Sequence, residues 1–124
     1  MDDNLSIALR YHQAVADGAT GAALARFFDE DVVQQELPNL LSPEGAQRDL
    51  TGLLQAAERG ATLLTHQDFE VVNAIAAGDR VALEVRWTGE TKDGRVLRAH
   101  IATFLDFRNG RIHAQRNYDC YDPP

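Results

Sequence analysis

Apolar positions recur with two periods along this chain. Every three or four residues in the first half, they alternate in the second. Residues 4–17 read as a helix: Leu5, Ala8, Leu9, His12 and Ala16 share a stripe, Asp3 or Asn4 can cap it, and Gly18 lies past its end. Thr20 can cap a short second helix through Phe28, with Ala23, Leu24 and Phe27 inward. Asp29-Glu30-Asp31 then gives way to an extended piece from Val32 to Leu37, and Pro38, Pro43 and Gly45 mark a loop. Ser42 with Pro43 predicts the start of a third helix to about Arg59, with Ala46, Leu50, Leu53, Leu54 and Ala57 at helical spacing and Gly60 as terminator.

Four long strands follow, Leu64 to Ile75, Arg80 to Glu90, Val96 to Phe107 and Arg111 to Tyr121, joined by short links. Asp93-Gly94 and Asn109-Gly110 are hairpin signals, because both central residues of a tight turn need positive φ. The strands are therefore expected to form an antiparallel meander, and helices before strands argue an α+β fold with the helices on one sheet face. On the second long strand Val81, Leu83, Val85 and Trp87 form the helix-facing set. Counting from two-residue turns puts His100 opposite both Trp87 and Asp119, Ala102 opposite Val85 and Asn117, and Phe104 opposite Leu83 and Gln115. The outer face then carries Glu84, Arg86, Ile101, Thr103, Leu105, Arg116 and Tyr118, which reads as a dimer surface.

The 124 residues suit one domain spanning 1–124. A net charge of −7 disfavours nucleic acid and anionic membrane as partners. No stretch of 18 apolar residues is present, and the acidic start Met1-Asp2-Asp3-Asn4 lacks the basic flank of a signal peptide, so a cytoplasmic protein is expected. A single cysteine, Cys120, gives no internal disulfide or zinc cluster. No His/Asp/Glu set has metal-ligand spacing and no glycine-rich phosphate loop appears, so neither metal nor cofactor is expected.

An imidazole facing a carboxylate in an apolar hollow can move a proton near neutral pH, which makes His100 and Asp119 the candidate catalytic pair. The same residues would also serve as a buried structural hydrogen bond, and a one-residue bulge would turn one of them outward. Asn117 can hydrogen-bond a substrate carbonyl, and Trp87, Phe104, Leu83 and Val85 can shape the hollow. Tyr11 and His12 lie about a hundred degrees apart on the first helix, so they are not expected to reach one spot. His66, Asp68 and His113 are read as surface.

The pieces Arg10-Tyr11 with Val15-Ala16-Asp17-Gly18, Phe27 to Val32, Gly78 to Leu83, Phe107 to Ile112, and Tyr118-Asp119-Cys120-Tyr121-Asp122 occur in this order over nearly the whole chain. In that arrangement the chain resembles the nuclear transport factor 2-like superfamily, in particular its ketosteroid isomerase and SnoaL-like polyketide cyclase branches. The resemblance implies a curved antiparallel sheet wrapped around three N-terminal helices, cone-shaped with an internal pocket, and a dimer. It implies an oxyanion-donor role for Tyr11 and places Glu36 where the isomerases hold their base. Their second donor, an acid kept protonated by an apolar site, falls at Ala102 or Thr103, so steroid isomerisation is not expected. The cyclases' histidine–aspartate pair matches His100 and Asp119, while Arg98-Ala99-His100 with Asp119 only partly matches the Asp-Arg-Asp set of the epoxide hydrolases.

The expected function is a cofactor-independent acid–base enzyme, of isomerase, cyclase or dehydratase type, acting on a small hydrophobic carbonyl compound. The alternatives are a non-catalytic ligand-binding or dimerisation module on the same fold and, more weakly, an epoxide hydrolase.

Overall fold

The computed structural model describes residues 3–123; Met1 and Asp2, part of the acidic start, lie outside the described residues. Helix α1 (Asn4–Ala16) is followed by α2 (Gly21–Ala25), strand β1 (Phe28–Glu36), a three-residue β2 (Ala46–Arg48) and α3 (Leu50–Leu63). Strands β3 (Leu64–Ala77), β4 (Arg80–Thr91), β5 (Val96–Arg108) and β6 (Arg111–Tyr121) complete the chain. The six strands form one open, curved sheet in the order β2-β1-β6-β5-β4-β3, with the helices against its concave side. The expected meander is present, but the sheet is mixed: β1 runs parallel to β6.

The third helix begins later than its sequence signals predict. Ser42 and Pro43 belong to the loop, and residues 46–48 leave it as an edge strand against Gln34–Glu36. Asp49 is the true cap, its carboxylate accepting from the Gly52 N–H at 2.8 Å, and the helix runs through Gly60 to Leu63. At the first helix Asp3 caps by accepting from Ser6 at 2.8 Å, as read. Its buried stripe is Ile7, Ala8, Tyr11 and His12 rather than the one through Leu9, which is 40% exposed.

The β5 register differs from the counted one, and two local irregularities explain it. The β4–β5 loop spends three residues, Lys92-Asp93-Gly94, between Thr91 and Arg95, whose backbones are hydrogen-bonded at 2.9 Å. Leu83 thus faces Thr103, Val85 faces Ile101, and Trp87 faces Ala99. At the second hairpin Phe107 pairs with Ile112 as counted, but Asp106 then pairs with Ala114, leaving His113 as a bulged extra residue. Beyond the bulge Thr103 faces Asn117 and Ile101 faces Asp119.

Both shifts move β5 by one residue, and one residue exchanges its faces. Ile101, Thr103 and Leu105, expected outside, turn inward, and Leu105 is fully buried. Phe104 turns outward, packing its ring edge to face on Tyr118 at 5.8 Å with the Arg116 guanidinium over it. The core is closed by Phe28, Val32, Val81, Val85, Leu105 and Ile112 between helices and sheet.

Gly45 makes the return from β1 to β2 feasible: its φ is +69°, and a Cβ there would lie 2.5 Å from the Glu36 carbonyl oxygen. Gly45→Ala is expected to lower stability by about 1–3 kcal/mol through left-handed strain and this clash, measured as a reduced urea midpoint.

Candidate active site

The concave face and the helices enclose a cavity of about 370 Å³, within the usual range for small-molecule sites. Tyr11 and His12 reach it from α1, Gln34 and Glu36 from β1, and Arg48 from β2. Val85 and Trp87 come from β4, Ile101 and Thr103 from β5, and Asn117, Asp119 and Tyr121 from β6. Leu83 is buried in the core beside this space rather than lining it.

The expected His100–Asp119 pair does not form. His100 points outward, 64% exposed at its side chain, with Nε2 3.8 Å from Asp122. Asp119 is on the inner face, opposite Ile101. The cause is the register shift of β5; β6 keeps the expected orientation.

Most polar groups in the cavity are joined in one network. The Tyr11 hydroxyl donates to Gln115 Oε1 at 3.1 Å, which also accepts from Gln34 Nε2 at 3.1 Å. Gln115 Nε2 donates to Asn117 Oδ1 at 3.2 Å, and the Thr103 hydroxyl donates to the same oxygen at 3.1 Å. With Oδ1 taking two donors, the amide N–H groups of Asn117 are the ones left for a ligand. Glu36 is held from both sides, Oε1 by Arg48 at 3.0 Å and Oε2 by Asn39 at 2.8 Å. Trp87 is fixed by donating its indole N–H to Gln67 Oε1 at 3.0 Å.

Asp119 is the exception. Its Oδ1 is buried and accepts no hydrogen bond. Loss of hydration, and secondarily the negative charge of Glu36, push its carboxyl up to about 6. Burial first, then the charge of Asp119, raises the Tyr121 hydroxyl to about 12. Burial likewise raises Tyr11 to about 12, so both phenols stay protonated. His12 Nδ1 lies 2.9 Å from the Ala8 carbonyl oxygen, which can only accept, so this nitrogen carries the proton. Burial lowers the His12 pKa and keeps the ring neutral. Both Tyr11 and His12 line the cavity, contrary to the expectation that they diverge, because α1 straddles it with their rings 5.0 Å apart.

Gln34, Arg48, Thr103 and Tyr121 are site residues that sequence reasoning missed. Tyr121 was available from alternation with Asp119, and Thr103 from the apolar phase of Ile101, Leu105 and Phe107. Arg48 was hidden by the early helix start. Among the described residues no cluster of His, Cys, Asp and Glu could hold a metal, and no helix is long and apolar enough to cross a membrane.

The comparisons agree with this architecture. A family model, the SnoaL-like domain, matches residues 8–115, and the chain belongs to that family. IdmH of Streptomyces antibioticus, a candidate polyketide cyclase, is similar in fold with a TM-score of 0.79 at 18% identity, covering 95% of this chain and 92% of that one. The BvnE pinacolase of Penicillium brevicompactum matches with a TM-score of 0.77 at 14% identity, covering 94% and 82%. A protein of Catenulispora acidiphila with a ketosteroid isomerase-like fold, in complex with trimethylamine, gives 0.73 at 20% identity, covering 90% and 83%. No curated protein matches the chain.

The raised carboxyl has a consequence for stability. Because folding raises the Asp119 pKa from 3.8 to about 6, the folded state binds this proton more tightly. The resulting stabilisation is full below the ordinary carboxylate pKa and is lost as pH rises through about 6. Asp119→Asn is therefore expected to raise the melting temperature at about pH 8, by the equivalent of about 1–2 kcal/mol once solvent screening of this partly exposed carboxyl is included, and to change it little at about pH 4.

Proposed function

We propose that the protein is a cofactor-independent acid–base enzyme acting on a small apolar molecule with a carbonyl group, and that Asp119 is the proton-transfer residue. The observation that carries this reading is the buried, unpartnered Oδ1 of Asp119 on the cavity wall. A base must have a free lone pair aimed at substrate and a pKa near working pH. Glu36 has both oxygens occupied by Arg48 and Asn39, and His100 is outside the cavity. The chemistry named for two fold relatives, a candidate polyketide cyclase and a pinacolase, is compatible with this class but does not choose among its members.

Asn117 and Asp119 project from the same face of β6 two residues apart, about 7 Å along the strand. That interval suits a carbonyl oxygen at the Asn117 amide and the adjacent carbon at Asp119. The carboxylate takes the α-proton, the C–H electron pair moves toward oxygen, and the enolate is held by the Asn117 N–H donors. Asp119, now protonated, can return the proton to a different carbon, which is isomerisation. Alternatively, the enolate carbon attacks a second carbonyl, whose oxygen takes the proton from Asp119 as the ring closes, or it expels a β-hydroxyl, which leaves as water with that proton. Gln115, Thr103 and Tyr11 orient Asn117 through the network. Val85 and Ile101 keep the reacting carbon dry. The homodimer expected from the sequence would use the outer sheet face, where Phe104 and Tyr118 are 39% and 46% exposed.

The test is α-proton exchange into deuterated water for a panel of apolar cyclic ketones, followed by NMR. Wild-type protein is expected to accelerate exchange for at least one, with a rate that rises as a group of pKa about 6 ionises. Asp119→Asn is expected to lose roughly a hundredfold or more, and His100→Ala to retain the rate. Saturable ketone binding without exchange would favour the non-catalytic module instead.

A further inference from the structure

A second hollow lies beside the catalytic cavity, and nothing in the proton chemistry above uses it. Its volume is about 560 Å³, and it shares Gly60, Leu64, Trp87 and Tyr121 with the inner cavity. The two spaces are therefore neighbours across a wall made by the indole and the phenol, whose rings meet edge to face at 6.0 Å.

That wall is built rather than incidental. The Trp87 indole is hydrogen-bonded to Gln67 and lies over Gly89, two residues along the same strand. A Cβ at Gly89 would come within 2.5 Å of the indole ring, so only glycine leaves room for it. On the far side Leu41 and Leu63 are 54% and 65% exposed, and Leu97 continues the apolar lining. Together these leucines and the Trp87 face make one contiguous apolar patch around the hollow, which a ligand could cover. The backbone N–H of Lys92 donates to the Leu63 carbonyl at 3.2 Å, tying the rim of the hollow to the end of α3.

The charge at the rim has the opposite sign to the protein. The chain carries −7 overall, yet its only lysine, Lys92, stands at this hollow together with Arg95. The third charge there, Asp93, is already taken by Arg95 at 3.3 Å and by the Thr91 hydroxyl. Among the described residues Lys92 forms no ion pair. The rim thus has one uncompensated positive charge over an apolar floor.

We propose that the outer hollow is a binding site for the carboxylate end of an elongated apolar molecule, with the carboxylate on Lys92 and the hydrocarbon along Leu41, Leu63 and Leu97 against the Trp87 face. Resting on the acid–base reading, it adds that an amphipathic acid seats next to the catalytic cavity, on the other side of the Trp87–Tyr121 wall. The outer site binds whether or not Asp119 reacts.

Trp87 is the only tryptophan, so its emission reports this wall without labelling. The probes are octanoate and octanol, which share an apolar body and differ in charge. At low salt both are expected to shift Trp87 emission saturably, octanoate about two- to fivefold more tightly, as an exposed ion pair allows. Lys92→Gln is expected to erase that preference and Lys92→Arg to keep it. Leu63→Asp, which adds a carboxylate only to the outer wall, is expected to weaken octanoate more than about tenfold. Equal affinity for the two probes, a preference that survives Lys92→Gln, or indifference to Leu63→Asp would overturn the proposal. Asp119→Asn should leave the octanoate preference intact; failure of the ketone exchange and failure of the outer site are thus separate results.

Discussion

Side chains on a strand alternate between two faces, so the chemistry of this protein depends on where its hairpins gain or lose one residue. A three-residue loop before β5 and a bulge at His113 after it are the two that set the face of β5. Together they put Ile101, Thr103 and Leu105 under the helices and His100 in solvent. The bulge is anchored where the sheet is least regular. Ile112 donates its N–H to the Phe27 carbonyl at 2.8 Å, and Asp29 holds Arg108 at 2.6 Å across the hairpin end. The His113 ring nitrogen sits 3.7 Å from the same carboxylate without a hydrogen bond. The start of β1 thereby secures the phase of β6, and the phase of β6 puts Asp119 in the cavity.

Within that frame the cavity separates two ways of treating buried polar groups. Tyr11, Gln115, Asn117, Thr103 and Gln34 satisfy one another, which makes their burial tolerable and their positions stiff. Glu36 is satisfied by Arg48 and Asn39. Asp119 is left unsatisfied among them, and the neighbouring Glu36 charge makes its ionised form still less comfortable. Five polar side chains here satisfy one another while one carboxylate oxygen is left bare, the arrangement that the proposed proton transfer would use.

The fold was legible because its signals were redundant. The cap at Asp3, Gly18 just past the end of the first helix, alternation over four strands and short links between them all point the same way. The third helix was misplaced because Ser42-Pro43 looks like a helix start, while the true cap, Asp49, followed a strand too short to show a period. The site was legible in part. Asp119, Asn117, Trp87 and Val85 were placed on the inner face, because β4 and β6 keep the expected phase. His100 and Phe104 were not, since their phase came from counting across turns, and a turn can absorb a residue without a clear sequence signal. The β5 sequence itself held the correction. His100 shares its phase with Asp106, and the opposite phase, Ala99, Ile101, Leu105 and Phe107, is the more apolar.

The register of β5 against β6 is the quantity to measure, in solution, by cross-strand nuclear Overhauser contacts between backbone protons. The structure requires contacts between Ile101 and Asp119 and between Thr103 and Asn117. Contacts joining His100 to Asp119 instead would return the imidazole to the cavity and contradict the assignment of proton transfer to Asp119 without His100.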